Sequence, residues 1–117
     1  MKKLLVATDF SATAYNAVDF AIQSAKIIPA DVIILHIYES AENVYYDYMG
    51  LDKEYKKDME RELSHKLDLM RLNILESEAL AVKTVLLTGD FKEKLEEAVN
   101  LFHPDLLIMG SHGVGGC

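Results

Sequence analysis

Cysteine is almost missing from this chain: the one residue of the type, Cys117, is the last. A disulfide framework and a cysteine-held metal cluster are thereby excluded, and the count suits a reducing compartment such as the cytoplasm. Positive charge is also in short supply. Twelve Lys and Arg stand against 19 Asp and Glu, a formal net charge of -7. Such a surface repels a polyphosphate backbone, so nucleic acid is not an expected partner. The same field works against a free nucleotide, and a phosphate site would have to draw on local backbone N–H groups. Long apolar runs are lacking too. Lys2-Lys3 followed by Leu4-Leu5-Val6-Ala7 faintly resembles a signal peptide, but Asp9 cuts the run short, and no segment approaches a membrane span. No internal repeat, linker or low-complexity tract interrupts the chain.

What is present is an ordinary globular balance. Half of the 117 residues are apolar and 26% are charged, enough for one domain around one core. Leu4 to Thr8 is a continuous apolar run without helical period, as in a strand buried on both faces. Asp9 ends it, and Ser11 is placed to cap a helix. Ala14, Ala17, Val18, Ala21, Ile22, Ala25 and Ile28 then recur at three- and four-residue steps, and Pro29 stops the pattern. Val32 to Ile37 is a second buried strand. After a polar loop with three tyrosines, Tyr55, Met59, Leu63, Leu67, Met70 and Ile74 mark a long amphipathic helix from Asp52 to Glu76. Val82 to Thr88 reads as a third strand at a sheet edge, since Lys83 needs solvent. Asp90 and Glu93 form a capping pair before a helix carrying Leu95, Ala98, Val99 and Phe102. Pro104 closes that helix, and Leu106 to Met109 is a fourth buried strand.

The order β-α-β-α-β-α-β implies an α/β fold with a parallel sheet and right-handed crossovers. The last eight residues, Gly110 to Cys117, include four glycines. In such a sheet the loop after a strand leads to a helix whose N-terminus faces the ligand. The expectation is therefore a single domain over residues 1–117 whose C-terminal part is incomplete.

Three segments carry a family resemblance. Val6-Ala7-Thr8-Asp9-Phe10-Ser11 ends the first strand, Thr88-Gly89-Asp90 follows the third, and Leu107-Ile108-Met109-Gly110-Ser111-His112-Gly113 ends the fourth. In this order and spacing the chain resembles the universal stress protein family over its whole length. The resemblance implies a doubly wound, Rossmann-like sheet with strand order 3-2-1-4 and a missing fifth strand. It also implies ATP or AMP at the switch point between strands one and four, with Mg2+ only if ATP is bound. The motif of ATP-binding members is G-x2-G-x9-G-S/T. Gly110 and Gly113 match its first half; the second half falls beyond Cys117.

On the matching positions the resemblance implies a ligand site built from Ala7, Thr8, Asp9, Ile37, Met109, Gly110, His112 and Gly113. Asp9 would lie against the nucleoside and Ile37 would offer its backbone to adenine. Read from the residues alone, a carboxylate at Asp9 can accept a hydrogen bond from a base amine or ribose hydroxyl, or can serve the dipole of the following helix. Glycines after a buried strand let backbone N–H groups approach phosphate, or merely turn the chain. Neither a Walker A sequence nor a full G-x-G-x-x-G is present. His112 has no partner carboxylate or nucleophile nearby in sequence, and no catalytic residue is assigned. His36 reads as a satisfied core residue, and no two histidines have metal spacing. The stretch Tyr45-Tyr46-Asp47-Tyr48 could fold over a base or pack on the second helix.

Four functions compete. The first is a regulatory domain of the stress response that binds adenine nucleotide and performs at most weak ATP hydrolysis. The second is an ATP-pyrophosphatase relative, against which the missing S-G-G-x-D-S loop counts. The third is a stress protein that binds no nucleotide and acts through dimerisation. The fourth, a phosphoacceptor receiver, lacks its acidic pair and its strand-three aspartate. Association as a homodimer or larger assembly is expected through the strand-four edge.

Overall fold

The computed structural model describes residues 1–39 and 51–110, with the backbone alone for 51–53. The elements are β1 (Lys2–Ala7), α1 (Ala12–Ile27), β2 (Ala30–Tyr38), α2 (Leu51–Glu78), β3 (Lys83–Thr88), α3 (Phe91–Phe102) and β4 (Leu106–Met109). The strands form one parallel sheet in the order β3-β2-β1-β4. Leu4 sits opposite Val32 on one side and Leu106 on the other, and Ala7 opposite Leu35 and Met109. The expected α/β architecture and the 3-2-1-4 order are thus observed. Among the described residues, no helix is long and apolar enough to cross a membrane.

Side-chain alternation along the strands divides the core. Leu4, Val6, Val32 and Ile34 face α1 and α2, where they meet Val18, Ile22, Leu67 and Met70. Leu5, Ile33, Leu35 and Ile37 face α3 around Ala98. The two central strands are therefore covered on both faces, which is why they read as unbroken apolar runs. Leu5, Val6, Ile34 and Leu35 are fully buried, each stabilising the fold by about 1.5–3 kcal/mol relative to exposure.

Three expectations need correction. The apolar face assigned to α1 includes Ile28, which is 60% exposed because it caps the helix rather than continuing it. Tyr55 is equally exposed. At 1.5 Å per residue, the 28 residues of α2 span about 42 Å, longer than any strand of the sheet, whose strands have only four to nine residues. Finally, β4 is not buried: Leu106, Leu107 and Met109 are 48%, 37% and 45% exposed. Hydrogen-bonded to β1 alone, β4 is an outer strand of the described sheet, and only Ile108 packs on the α1–α2 core.

Candidate functional site

At the carboxyl end of β1 the chain must leave the sheet and enter α1 within four residues, and three short side chains make that turn. Phe10 N–H donates to Thr8 Oγ1 at 3.1 Å, and Ser11 N–H donates to Asp9 Oδ1 at 2.9 Å. Ser11 Oγ then accepts from Ala14 N–H at 3.1 Å, capping α1 as its position suggests. Phe10 itself is left-handed, with φ of 65°. For a residue with a Cβ this costs on the order of 1–2 kcal/mol. Burial of the ring offsets it: Phe10 packs into the α1–α2 core, 4.7 Å from the His36 ring and with Lys66 Nζ 5.3 Å from its centroid.

Two other element ends approach the same point. After β4, Gly110 lies under the first turn of α1. A Cβ there would stand 2.6 Å from Ala14 Cα and 2.7 Å from Thr13 O. Beyond β2, Glu39 reaches the start of α3, where Oε2 accepts from Phe91 N–H at 3.1 Å. Asp90 caps the same helix by accepting from Glu93 N–H at 3.1 Å, the pairing expected from its spacing. The turn into α3 uses Gly89 at φ 145°, a conformation that disfavours side chains, and Gly89 N–H donates to Tyr38 O at 3.0 Å.

Between these ends lies a pocket of about 540 Å³. It is lined by Ala7, Thr8 and Asp9 from β1, by Leu35, His36, Ile37 and Glu39 from β2, by Phe91 from α3, and by Met109 and Gly110 from β4. Of the eight residues that the family resemblance implies, Ala7, Thr8, Asp9, Ile37, Met109 and Gly110 line this pocket. His112 and Gly113 lie outside the described residues, as does the Tyr45–Tyr48 stretch. Leu35, His36, Glu39 and Phe91 were not assigned. A signal existed for Glu39, two positions past Ile37 at the same strand end, and for Phe91, the first residue after the Gly89-Asp90 turn. His36 is half-buried and satisfied, as read from sequence, but it borders the pocket as well.

The lining sorts by chemistry. Ala7, Leu35, Ile37, Phe91 and Met109 make apolar walls, while Asp9 and Glu39 place two exposed carboxylates at the rim. No lysine or arginine is among the described residues that line it. An apolar slot with acceptor groups at its edge suits a flat ring bearing amine or hydroxyl donors better than a polyanion. Its place is also significant. Chain connections from β1 run to β2 on one side, while β4 flanks β1 on the other, so β1 and β4 border the point where strand order reverses. In open parallel sheets ligands bind there, beyond the carboxyl ends of the strands.

Comparison with known proteins agrees with this architecture. A universal stress protein of Methanocaldococcus jannaschii is 28% identical over 125 residues, spanning 96% of this chain and 77% of the relative. The solved structure of that archaeal protein superposes with a TM-score of 0.78, covering 99% of this chain and 78% of its own. Universal stress protein UspA from Lactobacillus plantarum, 19% identical, shares the fold with a TM-score of 0.81 over 98% of this chain and 80% of its own. A family protein from Arabidopsis thaliana, solved with AMP bound, is 20% identical and superposes with a TM-score of 0.65 over 99% of this chain and 80% of its own. The sequence profile of the universal stress protein family matches residues 1–117, and the chain belongs to that family.

Proposed function

We propose that the chain is a regulatory domain of the stress response that binds an adenine nucleotide, ATP or AMP, in the pocket between β1 and β4. The observation that carries the reading is the meeting of Ala7, Thr8, Asp9, Ile37, Met109 and Gly110 around one pocket at the switch point. The apolar walls suit adenine and the Asp9 carboxylate suits a ribose hydroxyl, and the family resemblance assigns Gly110, His112 and Gly113 to the same ligand. The AMP seen in the Arabidopsis relative supports the same class of ligand. Mg2+ would enter only with ATP, on its phosphates. No residue is assigned a catalytic role in this reading.

Calorimetry with AMP, ATP and adenosine tests this. AMP is expected to bind. Because no described cation lines the pocket, ATP should gain no more than about 1.4 kcal/mol over AMP, a factor of ten. Asp9→Asn keeps an acceptor for Ser11 N–H but removes the charge, and should weaken AMP roughly tenfold. Absence of heat with either nucleotide would refute the reading.

A second reading, association of copies without a nucleotide, is favoured by the exposure of Leu106, Leu107 and Met109 on the outer strand β4. Sedimentation of the free chain addresses it: a monomer at all concentrations rules it out.

A further inference from the structure

β1 and β2 pair in register up to Ala7 and Leu35, and Thr8 N–H still donates to Leu35 O at 2.8 Å. In a parallel ladder the next inter-strand bond would run from Ile37 N–H to the Thr8 carbonyl. That carbonyl instead meets a side chain: His36 Nδ1 lies 2.7 Å from it. A carbonyl can only accept, so the imidazole donates from Nδ1, and in its neutral form Nε2 carries no proton.

Backbone groups along a strand alternate between its two neighbours. Leu35 O faces β1, so the backbone of Ile37 faces the β1 side as well, while Tyr38 O faces the other way, toward Gly89. The β1 chain, however, turns out of the sheet through left-handed Phe10. Ile37 N–H is therefore the next donor of β2 on the β1 side beyond the Leu35–Thr8 bond, and Ile37 lines the pocket.

We propose that His36 is a positioning residue: by donating to the Thr8 carbonyl it ends the β1–β2 ladder one bond early and keeps Ile37 N–H turned to the pocket for a ligand acceptor. The proposal rests on the nucleotide reading for the identity of that ligand, but not for the geometry. Phe10 supports the arrangement, because its ring tilts against the imidazole at 48° and holds it beneath the turn. The carbonyl oxygen has two lone pairs, so the behaviour of the Ile37 amide itself is what decides the matter.

The full chain would be examined by NMR, free and with AMP, together with His36→Leu and His36→Asn. Asparagine places an amide donor near the position of Nδ1; leucine removes it. In the free protein the His36 ring should show the Nδ1-protonated tautomer, and Ile37 N–H should exchange faster than Leu35 N–H. In His36→Leu the Ile37 amide should become protected by pairing with Thr8 O, and AMP should bind about tenfold more weakly. His36→Asn should restore fast exchange and bring affinity back within about threefold of the parent. An Nε2-protonated ring in the free protein would overturn the proposal, and that measurement needs no variant to fold. So would a folded His36→Leu with unchanged Ile37 exchange and AMP affinity. A parent chain that shows both signatures yet binds no AMP leaves His36 as the positioning residue and refutes the nucleotide reading alone.

Discussion

Replacing Gly110 with alanine would put a methyl group against the backbone of α1 rather than into open space. The nearest atoms are Ala14 Cα at 2.6 Å, Thr13 O at 2.7 Å and Ala14 N at 2.9 Å. Ordinary contact begins at 3.4 Å, so the first turn of α1 must withdraw by about 0.8 Å. None of the three atoms belongs to a side chain that could swing aside. The turn is also held from its other end by the Ser11 cap and by the Asp9 and Thr8 hydrogen bonds. Overpacking of this kind costs roughly 1–3 kcal/mol. For a chain of this size that is a fall in Tm of roughly 4–12 °C. Urea and thermal unfolding of the ligand-free chain would measure it. The result discriminates between two roles for the same glycine. If Gly110 serves only to let a phosphate approach the backbone, alanine should leave the free protein's stability unchanged and weaken the nucleotide alone. An unchanged urea midpoint with an unchanged m-value would refute the packing argument.

Asp90→Ala removes the acceptor for Glu93 N–H at the start of α3 and should destabilise by about 1 kcal/mol in urea unfolding, with Glu39 still holding Phe91 N–H. A loss within error would show that Glu39 alone suffices to cap the helix. Glu78 joins α2 to α1: its carboxylate accepts from Lys26 and from Gln23, and these contacts hold its pKa below the usual carboxylate value. A lowered folded-state pKa means that stability is present above the unfolded value and is lost as pH falls through the folded one. Glu78→Gln should therefore melt below the parent at neutral pH, with the gap closing as the solution is acidified through the carboxylate range. A gap that persists unchanged at the acid end would show that charge is not its source.

Much of the architecture follows from local pattern. Unbroken apolar runs at Leu4–Thr8 and Val32–Ile37, helical spacing between them, and the stops at Pro29 and Pro104 suffice for alternating strands and helices, hence a parallel sheet. Caps at Ser11 and Asp90 are legible for the same reason, since a cap and its N–H partner lie three residues apart. The strand order and the choice of site residues came from the family resemblance, not from periodicity.

Burial of β4, by contrast, could not be read from Leu106 to Met109. An apolar run says what a strand would prefer to touch, whereas exposure depends on which elements flank it, and β4 has β1 on one side only within the described sheet. Gly110 reads as a glycine for ligand approach, yet its steric need comes from α1, nearly a hundred residues earlier in the chain. Sequence likewise determined that His36 would need a partner, because a half-buried imidazole must satisfy a ring nitrogen. Only the tertiary structure decided that the partner is Thr8 O, 28 residues away, and that Glu39 caps a helix 52 residues on. Such contacts depend on the register of β1 against β2 and on where α3 docks. Both are fixed when the apolar faces of the whole sheet are buried together, and no local segment contains that information.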